Sequence, residues 1–257
     1  MSSAAELRLI ALPDFPQVGS GDDLAALTAR ALARAGLELR SDDVLVFAQK
    51  VISKAEGRRI DLAQVVPSAR ALELAQTVQK DPRLVELVLR ESRRVVRSAK
   101  DVLIVEHRLG LIMANAGIDQ SNVAEPVCGE FVLLLPEDPD ASAARLRDRL
   151  RKLTGCEQGI LISDSFGRPW RMGTVGVAIG CAGFPATLDL RGQTDLFGRP
   201  LRVTVVGHAD EIASAASVVM GQGSEARPVI LVRGVASRAP HQPAAALIRP
   251  RQEDLFR

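Results

Sequence analysis

The chain has no tyrosine, one tryptophan and seven phenylalanines among 257 residues. Single-stranded nucleic-acid binders use aromatic faces as stacking platforms, and this chain has few to offer. Charge of one sign is missing as well. Lys and Arg number 33 against 31 Asp and Glu, a formal net charge of +2, where nucleic-acid binding calls for a strong basic excess. No apolar run approaches the roughly 20 residues that span a bilayer. The N-terminus, MSSAAELRLIALPDF, lacks a basic stretch followed by a long apolar one, so no signal peptide is expected. Cysteine is scarce: Cys128, Cys156 and Cys181 stand far apart with no CxxC pair. That excludes a disulfide framework or zinc knuckle and predicts small buried thiols, reduced in the cytoplasm.

Several catalytic signatures are absent too. There is no GxxxxGK[ST] phosphate loop and no HExxH zinc motif. GSGDDL (19–24) holds two of the glycines of a dinucleotide fingerprint and is better explained as a turn before a helix. His107, His208 and His241 are isolated, so no Ser-His-Asp constellation presents itself.

What remains is an ordinary globular balance, 47% hydrophobic and 25% charged, long enough for one large domain or two small ones. Strand-like runs are expected at 6–11, 43–48, 94–98, 102–106, 111–114, 131–135, 158–163, 174–181, 186–190, 201–206 and 228–232. Helical periodicity is expected over 23–36, with Asp22 as N-cap and Gly36 just past the end, and over 68–92 with a break at Asp81-Pro82. Further helices are expected over 140–153 and 208–221. Strict strand–helix alternation is missing, which predicts an α+β fold with mixed β-sheets and flanking helices. The folded domain is expected over 1–236, with a subdivision near PEDPD (136–140). A Pro/Arg-rich tail over 237–257 is expected to be flexible or a surface arm.

Three loops carry candidate chemistry. In ISDSFGRPWRMG (162–173), Asp164 and Ser165 follow an apolar strand, and hard oxygen donors there suit Mg²⁺ or Mn²⁺. Arg168 and Arg171 could face a phosphate or carboxylate. AGIDQSN (116–122) places Asp119 and Asn122 in a second loop. MGQGSEARP (220–228) follows a helix, with glycines that admit a ligand to the backbone and oxygens from Gln222 and Glu225. Lys50 and Lys54 flank a strand end, where a lysine can meet a phosphate. RESRRVVRSAK (90–100) is a basic run. A turn, a helix cap or a solvated face explains each of these alone.

Their order along the chain is more telling. LPDF (12–15), SKAEGR (53–58), EHRLG (106–110), AGIDQSN (116–122), SDSFGRPWRMG (163–173), DLFGRPL (195–201), ADEIASAA (209–216) and MGQGSEARPV (220–229) together resemble the coenzyme F420-0:L-glutamate ligase family over residues 8–235. The stand-alone form, without a flavin-binding domain, is the closer match. The resemblance implies a GTP-dependent ligase that adds L-glutamate to F420-0 through an acyl phosphate, acting as an intertwined homodimer. It assigns GTP to Leu12, Pro13, Asp14, Phe15, Gln49, Lys54, Asn122 and the segment Met220, Gly221, Gln222, Gly223, Ser224, Glu225, Ala226 and Arg227. It assigns divalent cations, two per site, to Asp119, Asp164, Ser165 and Gln222, and leaves room for K⁺. Ser165 stands where threonine is frequent, and Gln49 where a hydroxyl residue is often seen. From the loops alone, a metal-dependent phosphohydrolase, an amide ligase for another carboxylate and a non-catalytic nucleotide-binding regulator remain open.

Overall fold

A computed structural model describes residues 5–123, 130–235 and 239–255; Cys128 lies outside the described residues. The main sheet has five strands in the order β1-β12-β2-β8-β9. These are β1 (Arg8–Ala11), β2 (Val44–Ala48), β8 (Gly159–Arg168), β9 (Arg171–Ala182) and β12 (Val229–Arg233). Only β2 and β8 pair in parallel; the other neighbours are antiparallel. Both faces are covered, which is why β2 and β12 are nearly continuous runs of Val, Leu, Ile and Phe rather than alternating ones. Leu45, Phe47, Ile160 and Leu231 point to one face, against α1 (Leu24–Arg34), α2 (Gln49–Ala55) and α5 (Pro139–Thr154). Val44, Val46, Leu161 and Ile230 point to the other, against α6 (His208–Met220). The mixed α+β architecture expected from the sequence is thus present.

A second group of elements sits beside this sheet. Helices α3 (Ala69–Val78) and α4 (Pro82–Arg90) pack on the antiparallel sheet β4 (Ser92–Ala99), β5 (Val102–His107) and β6 (Ile112–Ala114). The break between the helices falls where Pro82 stands: Gln79 adopts a left-handed cap and Asp81 caps the new helix. A short ladder pairs β3 (Arg59–Asp61) with β7 (Phe131–Leu133). β10 (Leu188–Asp189) and β11 (Val205–Val206) are only two residues each, shorter than the runs expected at 186–190 and 201–206. The PEDPD stretch leads directly into α5, whose N-cap is Asp138. Strands from both sides of it meet in the parallel β2–β8 pair.

Four expectations need correction. The N-cap of α1 is Asp23, which accepts the Ala26 amide, because Asp22 is engaged by the Gly19 amide one turn earlier. Residues 164–173 are not a loop: β8 and β9 continue outward as a hairpin through Arg168↔Arg171. Lys50 and Lys54 do not flank a strand end but lie on α2, which the short motif disguised. Cys181 is a buried free thiol as expected, whereas Cys156 is only half-buried. The tail runs over the surface and is pinned there. Asp140 accepts the amides of Cys181, Ala244 and Ala245, and Gln242 accepts from Thr187.

An ionic hub joins the two groups of elements. Glu91, at the end of α4, meets Arg58 at 3.1 Å, Arg108 at 3.0 Å and the buried His107 at 3.6 Å. Burial alone would raise this carboxyl, but its hydrogen bond from Arg108, the adjacent His107 ring and the nearby cations bring it down to about 2. A carboxyl depressed on folding stabilises the fold above its unfolded value and loses that contribution as pH falls. Glu91→Gln is therefore expected to cost on the order of 3 kcal/mol at neutral pH, with the gap to wild type closing between about pH 4.5 and 2. Urea unfolding at stepped pH checks this, and a gap independent of pH would contradict it.

Candidate active site

Strands β1, β2 and β8 run in the same direction, since β12 is antiparallel to both β1 and β2. Their C-terminal ends form one rim of the sheet, the edge at which parallel strands commonly present ligands. The 12–16 turn, α2 and the outer part of the β8–β9 hairpin leave from this rim. The segment 221–228 arrives there, tied in by Ala48 N–H to the Pro228 carbonyl and Leu12 N–H to the Val229 carbonyl.

Asp119 reaches the rim from another direction. Its backbone exchanges both hydrogen bonds with Leu133 of β7, at 3.0 and 2.8 Å. Its Oδ2 accepts from Gln49 Nε2 at 3.1 Å and lies 3.3 Å from Lys50 Nζ. Gln49 is itself held, because its Oε1 accepts from Ser53 Oγ at 2.9 Å. Gln49, Lys50 and Ser53 thus make α2 a mount for one carboxylate. The i,i+4 spacing of Gln49 and Ser53 was the available signal, and it becomes visible only once 49–55 is seen as a helix.

Asp164 projects from β8 beside this cluster. Its carboxyl is pushed up to about 7, chiefly by burial; the Ser165 amide opposes this, Asp119 adds to it and Lys50 subtracts. Alternation along β8 puts Asp164 on the side of Ile160, Ile162 and Phe166, and Ser165 on the side of Leu161 and α6. There Ser165 Oγ donates to Gln222 Oε1 at 2.7 Å. The four expected cation ligands are therefore arranged as two pairs at the same strand end, Asp119 with Asp164 and Ser165 with Gln222. No cluster of three His, Cys, Asp or Glu residues exists among the described residues. The donors present are carboxylate, hydroxyl and amide oxygens, a set that fits Mg²⁺ or Mn²⁺ rather than zinc.

The second pair depends on how closely α6 approaches the sheet. Gly176 is opposite Ser165 in the ladder, and a Cβ there would lie 2.4 Å from the Ala213 carbonyl oxygen of α6. Ser214 Oγ donates to the Gly176 carbonyl at 2.7 Å. α6 ends at Gly221 with φ 79°, and the exposed loop 221–227 then bends over the rim. Asn122, at φ 57°, donates through Nδ2 to the Gly223 carbonyl at 3.2 Å, and the Gly223 amide meets Glu225 at 2.8 Å.

The other assigned residues fall into place unequally. Leu12 and Phe15 are buried in the core, so only Pro13 and Asp14 of LPDF face outward, with Asp14 at φ 49°. Gln49 is buried beneath the site rather than open to a ligand. Lys54 is half-buried and has no anionic partner among the described residues; burial and then Lys50 and Arg59 lower its pKa. Much of the basic run at 90–100 is neutralised, Arg90 by Glu86 and Arg93 and Arg94 by Glu106. A shallow depression lined by Asp23, Glu56, Arg145 and Arg149 lies at the far end of α2. Its charged groups pair with one another.

The rim thus brings together a glycine-bearing loop and paired oxygen donors. The model of the family F420-0:Gamma-glutamyl ligase matches residues 14–234. The chain is 45% identical to the coenzyme F420:L-glutamate ligase of Methanopyrus kandleri over the full length of both. It is 43% identical to that of Methanothermobacter thermautotrophicus, over 98% of this chain and 99% of the relative. A relative of the same description from Halorubrum lacusprofundi is 43% identical over 88% and 87%. The chain belongs to the F420-0:gamma-glutamyl ligase family and is an acid–amino-acid ligase. No described helix is long and apolar enough to cross a membrane.

The charge of Asp119 disfavours that of Asp164, a like-charge conflict that a cation would relieve. Asp164→Asn and Asp119→Asn are each expected to abolish turnover. Asp164→Asn should leave the melting temperature of metal-free protein unchanged or raised, because it removes a desolvated charge. Calorimetry with and without Mn²⁺, beside an activity assay, decides. Near wild-type turnover, or inactivity that comes only with unfolding, would leave these residues with a structural role alone.

Proposed function

We propose that this enzyme joins L-glutamate to coenzyme F420-0 using GTP and two Mg²⁺ or Mn²⁺ ions per site, as a cytoplasmic step of coenzyme F420 biosynthesis. The observation that carries the reading is the pairing of Asp119 with Asp164 and of Ser165 with Gln222 at one strand end, directly under the 221–227 loop. The names of the relatives supply the substrates.

An unactivated carboxylate does not yield to an amine, because oxide is too poor a leaving group. The carboxylate oxygen of F420-0 attacks the γ-phosphorus of GTP, the bond to the β-phosphate oxygen breaks, and an acyl phosphate and GDP result. The glutamate amine then attacks the acyl carbon and phosphate leaves with the bonding pair. A γ-carboxylate added in this way can accept a second glutamate by the same steps. Bound cations would neutralise phosphate oxygens as charge shifts toward the leaving group. The chain contributes positioning. Gln49 and Ser53 fix Asp119, Lys54 offers an uncompensated ammonium to phosphate, and Asn122 holds the glycine-rich loop in place. These roles fit an electrostatic and proximity mechanism with no dedicated general base. K⁺ is a candidate further ligand of the phosphates.

The defining test combines protein, F420-0, L-glutamate, Mg²⁺ or Mn²⁺ and either GTP or ATP, followed by mass spectrometry. The expected result is a glutamylated product with GTP. Phosphate release that ignores glutamate and F420-0 would mark a phosphohydrolase instead, and product formed only with another carboxylate would change the acceptor.

Lys54→Ala is expected to weaken GTP binding by about 1.5–3 kcal/mol, the range for a lost charge-assisted contact, without lowering the melting temperature. Calorimetric titration with GTP and Mn²⁺ measures the first quantity, and unchanged affinity would make Lys54 a bystander. A homodimer is also expected. Leu196, Phe197 and Val203 are 98%, 88% and 86% exposed on the arm between β10 and β11, and burial against a second copy would remove that apolar surface from water. Light scattering at micromolar concentration should give twice the chain mass; a monomer would count against it.

A further inference from the structure

The hairpin that carries Asp164 and Ser165 at its base ends in a tight turn of two residues, Pro169 and Trp170, between the paired Arg168 and Arg171. Proline sets its own φ near −65°, and Trp170 stands at φ 64°. That succession matches a type II turn, whose third position favours glycine. A bulky side chain in left-handed backbone is strained and persists where the surroundings hold it. Here the surroundings do so: Arg168 donates to the carbonyls of Met172 and Gly173 at 3.2 and 3.5 Å, across the turn.

The residue in that position is the only tryptophan of the chain, and it is 90% exposed. Beside it, Arg171 is exposed and has no carboxylate partner among the described residues. The fold thus presents its only indole to solvent next to a guanidinium without a carboxylate partner among the described residues. Four residue steps of extended strand lead from Asp164 to Arg168, a reach of about 13 Å at roughly 3.3 Å per residue.

We propose that Trp170 and Arg171 select the acceptor substrate: the indole stacks on its flat conjugated ring system, and the guanidinium pairs with an anionic group lying between that ring and the carboxylate to be activated. This rests on the function proposed above and extends it. An aromatic face beside a guanidinium recognises a planar, anionic ligand. The separation of the turn from Asp164 suits an elongated acceptor whose ring lies well away from its reacting end. Neither residue touches the reacting atoms, so both act on acceptor affinity rather than on chemistry.

The single tryptophan makes its emission a direct reporter. Wild-type protein is titrated with F420-0, with GTP–Mn²⁺ and with L-glutamate, and absorbance by the ligand is corrected against free N-acetyltryptophanamide. F420-0 is expected to quench and shift the emission; the other two are not. In steady state, Trp170→Ala is expected to raise KM for F420-0 about tenfold, in line with the loss of one stacked ring. Its kcat and its KM for GTP should change by less than about twofold. Trp170→Phe should keep the wild-type KM, and Arg171→Ala should raise it as Trp170→Ala does. An unchanged KM for F420-0 in Trp170→Ala overturns the inference. So does emission that depends on protein concentration without ligand, together with loss of the dimer in Trp170→Ala, since a second copy would then cover the indole. A wild-type protein that does not glutamylate F420-0 defeats the function proposed above, whereas turnover with unaltered variants defeats only this inference.

Discussion

The parallel pairing of β2 with β8 sets the position of nearly everything else. In this register Ala48 lies beside Ser163, so Gln49 and Lys50, which open α2, start beside Asp164 and Ser165 of β8. The pairing is specified by burial on both faces. Val44, Val46 and Leu161 serve one cluster, and Leu45, Phe47, Ile160 and Ile162 the other. A slip of one residue would exchange the faces of the whole strand. It would also turn Asp164 toward α6 and Ser165 toward Asp119, separating both donor pairs. Core packing and site geometry therefore share one register.

The rim is stable only as a compromise among charges. Asp119 is answered by Lys50 and Gln49, whereas Asp164 receives burial and a like charge, and its carboxyl is raised accordingly. On the other side Lys54 is depressed by burial and by neighbouring cations. A desolvated acid and a desolvated base without an ion-pair partner among the described residues are each unfavourable.

Legibility in the sequence followed the physics of each element. Helices α1, α3, α4 and α5 announce themselves by periodicity and by Asp or Ser caps, α6 by periodicity alone, and the break at Pro82 is local chemistry. The β8–β9 hairpin was missed beyond residue 163 because Asp, Ser, Gly, Arg and Pro read as loop. Its outer strands are held by ladder hydrogen bonds that need no apolar side chains. Helix α2 was missed for a related reason: seven residues are too few for a periodic signal. The candidate donors were found through the resemblance of ordered motifs. Their partition into two pairs was not legible, since it depends on the faces of β8 and on a contact between residues 57 positions apart. The supporting roles of Lys50 and Ser53 depend on α2 and were hidden with it.

The narrow gap at Gly176 has a consequence for how this enzyme can vary. A methyl group there would collide with the Ala213 carbonyl, and backbone cannot step aside as a side-chain end can. Helix α6 would have to lift off the sheet, drawing its C-terminal end and Gln222 away from Ser165. The most conservative of substitutions, at a residue with no functional group, would thus act as an active-site lesion from beneath. A survey of tolerated variants should find this glycine as intolerant as the aspartates, while exposed charges such as Arg30 on the outer side of α1 change freely.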